Sequence, residues 1–318
     1  MAVFELSYCQ DLSPPAGIVS SVYKIRFMQN ATPAAIAVLA LELVPAAALA
    51  FSGNRIARWC EGWPSTVRVA APAVLVLPYV LISATHQMFA WWWCILYATL
   101  PVAIAWLLQQ AARVDAEQRG NWRDAIILVF LGIIVDLRWL EPAWPNGLAG
   151  WGKLLLVDAG LYGFVAVRQL SGMGFDFHFR RSDWTTGFRE LLFLSPLVLA
   201  LGMVLGFLHP HARTPGLTMI PTWIYIFIFI AVPEELFFRA WVQNLLERRV
   251  GRRIALIVTS ALFGLSHFNK RSAHFNWRYV LLATLAGIFY GRAWREQRRV
   301  PASAITHASV DAIWSFWF

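Results

Sequence analysis

Charge is scarce in this chain. Only 14% of its 318 residues are Asp, Glu, Lys or Arg, against 58% hydrophobic residues, and the mean hydropathy is positive. Soluble globular domains carry about 25% charged residues, so that class is excluded. Cysteine is rarer still. Cys9, Cys60 and Cys94 have no pair spacing of a metal site, and their odd number argues against a disulfide scaffold. No basic region followed by a short apolar core and a small-residue cleavage site opens the sequence, because residues 1–10 include Glu5 and are not continuously apolar; membrane insertion is expected to rely on uncleaved helices. Basic residues outnumber acidic ones 27 to 18, yet they fall in short clusters between apolar runs rather than along one solvated face. That pattern marks topology and argues against nucleic acid as a partner.

What is abundant is apolar sequence in runs of spanning length. After a mixed segment over 1–30, read as interfacial and containing Pro14, Pro15, Lys24 and Arg26, runs cover 33–51, 66–85, 88–108 and 153–167. A shorter run covers 125–135, and further runs cover 191–208, 218–246, 254–268, 277–294 and 301–318. Trp91, Trp92 and Trp93 suit a headgroup-level aromatic belt, and 136–151, with Pro142 and Pro145, reads as an interfacial loop. The stretch 171–189, with Gly172, Gly174, alternating Phe175, Phe177 and Phe179, and Arg180-Arg181, reads as an amphipathic segment on the membrane surface. His209 and His211 read as polar residues of a turn, and Asp158 as a structural hydrogen-bonding residue inside its span.

The expected fold is all-α, a polytopic transmembrane helical bundle of about 8–10 membrane helices. Its two parts would be 1–186, of unknown role, and 187–318. Placing the arginine clusters on the cytoplasmic side sets the topology: Arg248, Arg249, Arg252 and Arg253, then Arg292, Arg295, Arg298 and Arg299. The loops bearing Arg55, Arg58 and Arg68, then Arg113, Arg119 and Arg123, then Arg180 and Arg181, follow on the same side. Ten crossings then leave both termini outside, and the expected location is a bacterial plasma membrane. Lys270, Arg271 and Arg278 fit that topology least well, since they fall in an outside loop.

One apolar run holds Pro233-Glu234-Glu235-Leu236-Phe237-Phe238-Arg239. A charge near the bilayer centre costs roughly 2.5 to 3.5 kcal/mol on insertion scales, so three together need partners or a purpose. On a helix Glu235 and Arg239 share a face and pair, while Glu234 points about 100° away. The next run ends Phe263-Gly264-Leu265-Ser266-His267, and the last contains His307-Ala308-Ser309-Val310-Asp311, in which His307 and Asp311 share a face. Depth counted from the arginine loops lets Glu234, His267, His307 and Asp311 meet around one polar cavity.

These three motifs, in this order, resemble the signatures of the CPBP family, the CAAX prenyl proteases of the Rce1 type and bacteriocin-processing enzymes also called the Abi family. The resemblance covers 189–318. It implies an intramembrane endopeptidase cleaving a membrane-associated protein or peptide near its C-terminus. Glu234 would be the general base activating water, aided by His267, while His307 and Asp311 would stabilise the oxyanion. Glu235 and Arg239 would be a structural pair, with Phe263 in support. The family's prenyl proteases usually carry Asn where Asp311 stands. An ionised Asp cannot donate to an oxyanion, so Asp311 is expected to orient and charge His307, which then donates.

Glu234, His267 and His307 could also form a two-His, one-carboxylate Zn²⁺ site. No short-spaced ligand pair fixes two ligands on one helix, so no cofactor and a glutamic-type site are favoured, with Zn²⁺ as the alternative. Prenylated CAAX tails and bacterial sorting or bacteriocin-related substrates both remain open. Two further classes compete with the protease: a non-catalytic scaffold or immunity protein of the same fold, and a proton-coupled transporter. The transporter predicts an internal repeat with matching broken helices, which the sequence does not show.

Overall fold

A computed structural model describes residues 32–211, 216–270 and 274–318. The interfacial segment read over 1–30, with Cys9, Lys24 and Arg26, lies outside the described residues, as do Arg213 and Arg271. All regular structure among the described residues is helical, as expected.

Among the described residues, six stretches are long and apolar enough to cross a membrane: Pro33–Glu61, Ser65–Thr85, Trp91–Val114, Ala149–Val167, Arg181–Val204 and Met219–Leu265. The protein is a multi-pass membrane protein. The last stretch is broken at Gly251, whose φ of 78° is glycine territory, into a helix over 219–250 and the helix Arg252–Leu265. Three helices lie outside those six stretches: Trp122–Asp136, Trp277–Gln297 and Val300–Trp317. The first has only 15 residues, the second carries Arg278, Arg292, Arg295 and Glu296, and the third carries His307 and Asp311. We number the helices in chain order: α1 Pro33–Glu61, α2 Ser65–Thr85, α3 Trp91–Val114, α4 Trp122–Asp136, α5 Ala149–Val167, α6 Arg181–Val204, α7 over 219–250, α8 Arg252–Leu265, α9 Trp277–Gln297 and α10 Val300–Trp317.

Packing divides the chain into two compact units, Asn30–Ser171 and a unit containing Gly172–Phe318. The boundary expected after residue 186 falls inside α6. In the first unit, Thr32 caps α1 by accepting from Ala35 N at 3.1 Å. α1 does not stop at Ser52 as the Ser-Gly-Asn sequence suggests; it bends there, at φ −140° and ψ 20°, and continues to Glu61. Arg55 and Arg58 are therefore helical rather than loop residues. Arg168 is 2% exposed and ties the end of α5 to Asp124 at the start of α4, with Nε to Oδ1 at 3.0 Å. Glu42 on α1 and Asp158 on α5 are both 3% exposed inside this unit. Cys60 is buried, Cys94 is half-buried, and both are free thiols.

The second unit begins with an extended strap, 172–180. The strap is not a surface amphipath: the Gly174 carbonyl accepts from Val300 N at 2.9 Å, and Trp294 Nε1 donates to the Met173 carbonyl at 3.0 Å. Gly174 has φ 70°, and a Cβ there would run into the Arg298 carbonyl, so glycine is required. Arg299, 4% exposed, donates from Nε to Asp183 Oδ1 at 2.6 Å and from Nη1 to Asp176 Oδ2 at 2.9 Å. Asp183 opens α6, so residues 181–189 are helical where a surface segment was expected. His209 and His211 lie in the non-helical stretch after α6, and His211 N donates to the Trp317 carbonyl at 2.8 Å.

Candidate active site

α10 is the axis of the second unit. Its first ten residues are all buried, and small side chains at Ala302, Ser303, Ala304 and Ala308 let neighbours approach closely. Gly187 of α6 packs on it so tightly that a Cβ would lie 2.8 Å from Ile305 Cγ2, and Thr306 Oγ1 donates to the Gly187 carbonyl at 3.0 Å. These contacts fix the register of His307, which is 3% exposed.

α7 supplies the carboxylates. Pro233 has no N–H, so one backbone bond of this helix cannot form, and the turns on both sides widen to π-helical geometry over Phe227–Ala231 and Leu236–Gln243. Wide turns of this kind recur at functional sites. Glu234 and Glu235 occupy the short α-helical segment between them and are 3% and 0% exposed.

The two carboxylates meet opposite edges of one imidazole. His307 Nδ1–H donates to Glu235 Oε1 at 2.8 Å, while Nε2 lies 3.8 Å from Glu234 Oε2 and 3.6 Å from Asp311 Oδ2. Glu235 is shared: its Oε2 accepts from Arg239 Nε at 2.9 Å. The expected Glu235–Arg239 pair is present, and Glu235 is also the carboxylate that fixes His307. Asp311, expected to orient the same imidazole, lies on its Nε2 side. The Asp311 side chain is 28% exposed, against 4% for His307 and Glu234, and so stands at the open side of the cluster.

His267 sits just beyond the end of α8. Its Nδ1 lies 2.8 Å from the Phe263 carbonyl, which can only accept, so Nδ1 carries the proton and Nε2 presents a lone pair. Phe263 links the two histidines: its ring centroid is 5.0 Å from that of His267 and 5.6 Å from that of His307, edge-on to the latter. The Arg239 guanidinium lies over the same ring at 5.3 Å. Phe263 is thus more than padding, because it touches three of the polar residues.

One neighbour escaped the sequence reading. Tyr290 of α9, 2% exposed, stacks on His307 with centroids 4.6 Å apart and planes 14° from parallel. It lies in an apolar run with no motif around it, and only its helical register against α10 places it there.

No three His, Cys, Asp or Glu side chains among the described residues surround one point closely enough to hold a metal ion. Both histidines have Nδ1 engaged, His267 by the Phe263 carbonyl and His307 by Glu235, which leaves the Nε2 of each directed elsewhere.

Residues 216–313 match the Rce1-like family model. Its description is type II CAAX prenyl endopeptidase Rce1-like. The matched region contains all three motifs, from Glu234 to Asp311, and the resemblance they carry is borne out there. No curated protein and no solved structure matches the chain. Over residues 216–313 the second unit is similar to type II CAAX prenyl endopeptidases.

Proposed function

We propose that this chain is an intramembrane endopeptidase that hydrolyses a membrane-associated protein or peptide near its C-terminus. The observation that carries the reading is the two-sided hold on His307: Glu235 takes Nδ1, and Nε2 is left facing Glu234. In a low-dielectric cavity this divides labour between adjacent carboxylates. Glu235 is committed to an arginine and an imidazole and serves to orient; Glu234 takes the proton of the attacking water.

The Nε2 lone pair of His267 supports Glu234 in holding that water. His307 Nε2 is the nitrogen from which a proton reaches the oxyanion or the departing amine, and Glu235 sets its direction. Asp311 borders the exposed side, where the substrate chain enters. With Glu235 orienting the imidazole, Asp311→Asn retains appreciable cleavage.

The test is peptide mass analysis of membranes from cells carrying the wild type and Glu234→Gln. A C-terminal fragment that appears with the wild type and vanishes with the variant, at equal expression, supports the reading. A fragment profile unchanged by Glu234→Gln sinks it and leaves a non-catalytic role for the fold.

A further inference from the structure

The polar cluster does not end at Arg239. On the same face of α7, one turn apart in sequence, stand Glu235, Arg239, Gln243 and Glu247, all buried. Side chains four apart remain neighbours on helical turns of either width. The lower part of this file is closed by protein contacts. Gln243 Nε2 donates to Glu247 Oε1 at 3.2 Å and to the Gly291 carbonyl at 3.4 Å. Glu247 Oε2 meets Arg298 Nη2 at 2.7 Å, and Arg298 Nη1 donates to Asn244 Oδ1 at 2.9 Å. The Arg298 side chain is 39% exposed and brings the file to the surface.

The upper part has a break with complementary ends. Arg239 and Gln243 are each 0% exposed. Arg239 uses only Nε, and its Nη1 and Nη2 meet no protein acceptor; one turn on, Gln243 Oε1 meets no protein donor. Orphaned donors and an orphaned acceptor one turn apart, all buried, are the polar partners an internal water needs.

We infer that water binds between the Arg239 guanidinium and the Gln243 side chain. The binding site stands on the unmatched polar atoms alone.

Radiolytic hydroxyl labelling in ¹⁸O-water, applied to the full chain in lipid nanodiscs and read by mass spectrometry, tests it. The reporters are Phe238 and Phe263, whose rings face Arg239 at 6.0 and 5.3 Å and which are 4% and 2% exposed. Both should be labelled in the wild type despite their burial. Gln243→Met, which keeps the length and removes the amide, should lower the label several-fold, and Gln243→Glu, which keeps an acceptor, should preserve it.

Absence of label in the wild type overturns the inference without any variant, as does equal label in wild type and Gln243→Met, which would mean that Gln243 holds no water. Glu234→Gln keeps the two ideas apart. It should abolish cleavage while leaving the label intact, and a wild type that is labelled but cleaves nothing would overturn the protease reading alone.

Discussion

Two buried arginines, one in each compact unit, show how differently the same side chain is used. Arg168 in the first unit spends its whole guanidinium: Nε and Nη2 on Asp124 at 3.0 and 3.2 Å, Nη2 also on Asp115 Oδ2, and Nη1 on the Asp115 carbonyl at 3.2 Å. Arg239 in the second unit makes one hydrogen bond, to Glu235, and lies over aromatic rings instead. The first arrangement is a saturated clamp that joins helix ends. The second leaves Nη1 and Nη2 unspent close to His307. A buried polar cluster with every group matched reads as structure; one with deliberate shortfall reads as a place where something else binds or reacts.

If that contrast is real, substitutions in the two clusters must fail in different ways. The largest effect is expected at Glu234→Gln, with turnover down by about 10² to 10⁴-fold, the range for losing a general base, and no change in thermal stability. Cleavage kinetics alongside a melting curve in detergent checks both halves.

Arg168→Met should do the reverse. Stripping the cation from buried Asp124 and its neighbour Asp115 costs on the order of 3–5 kcal/mol of stability, while activity per folded molecule is retained. Loss of activity without loss of stability in Arg168→Met would break the comparison.

A smaller effect is expected at Tyr290. The stacked ring contributes about 0.5–1.5 kcal/mol of orientation to His307, so Tyr290→Leu should lower kcat by up to roughly tenfold at constant KM. Tyr290→Phe should restore it, because the face and not the hydroxyl makes the contact.

The smallest effect concerns pH and the strap. Burial pushes the Asp176 carboxyl up, but hydrogen bonds from Arg299 and from His178 outweigh it and hold the group down at about 2. A carboxyl whose folded value lies below its ordinary 3.8 contributes stability above that value and loses it as pH falls toward 2. Asp176→Asn should therefore flatten the acid limb of the melting temperature between those limits, by an amount reduced by solvent screening because Asp176 is partly exposed.

Much of the helical framework was legible in the sequence. Arginine clusters bracket the apolar runs, and α7 to α10 begin and end within a few residues of the runs read at 218–246, 254–268, 277–294 and 301–318. The three motifs were legible because charge in an apolar helix is conspicuous. What was not legible depends on contacts across the chain. Ser52-Gly53-Asn54 has the look of a helix stop, yet packing carries α1 through it with a bend. The stretch 171–189 reads as a surface segment because of the alternating Phe175, Phe177 and Phe179, yet a helix begins at Arg181, where Asp183 accepts from Arg180 N at 2.8 Å and from Arg299. Glu235 looked fully accounted for by Arg239, four residues away. Its second partner, His307, lies 72 residues off, and no local pattern announces it.

The strap at 172–180 bears on how portable the second unit is. The Rce1-like match begins at residue 216, but Arg299, at the root of the helix that carries His307, finds its acceptors at Asp176, His178 and Asp183. A fragment trimmed to the matched region would carry a buried guanidinium with none of those acceptors, directly beneath the helix that presents the imidazole. Anyone transplanting the matched region into another membrane scaffold should cut before Gly172, since the bounds of a portable piece are set by where its cations are neutralised and not by where its motifs begin.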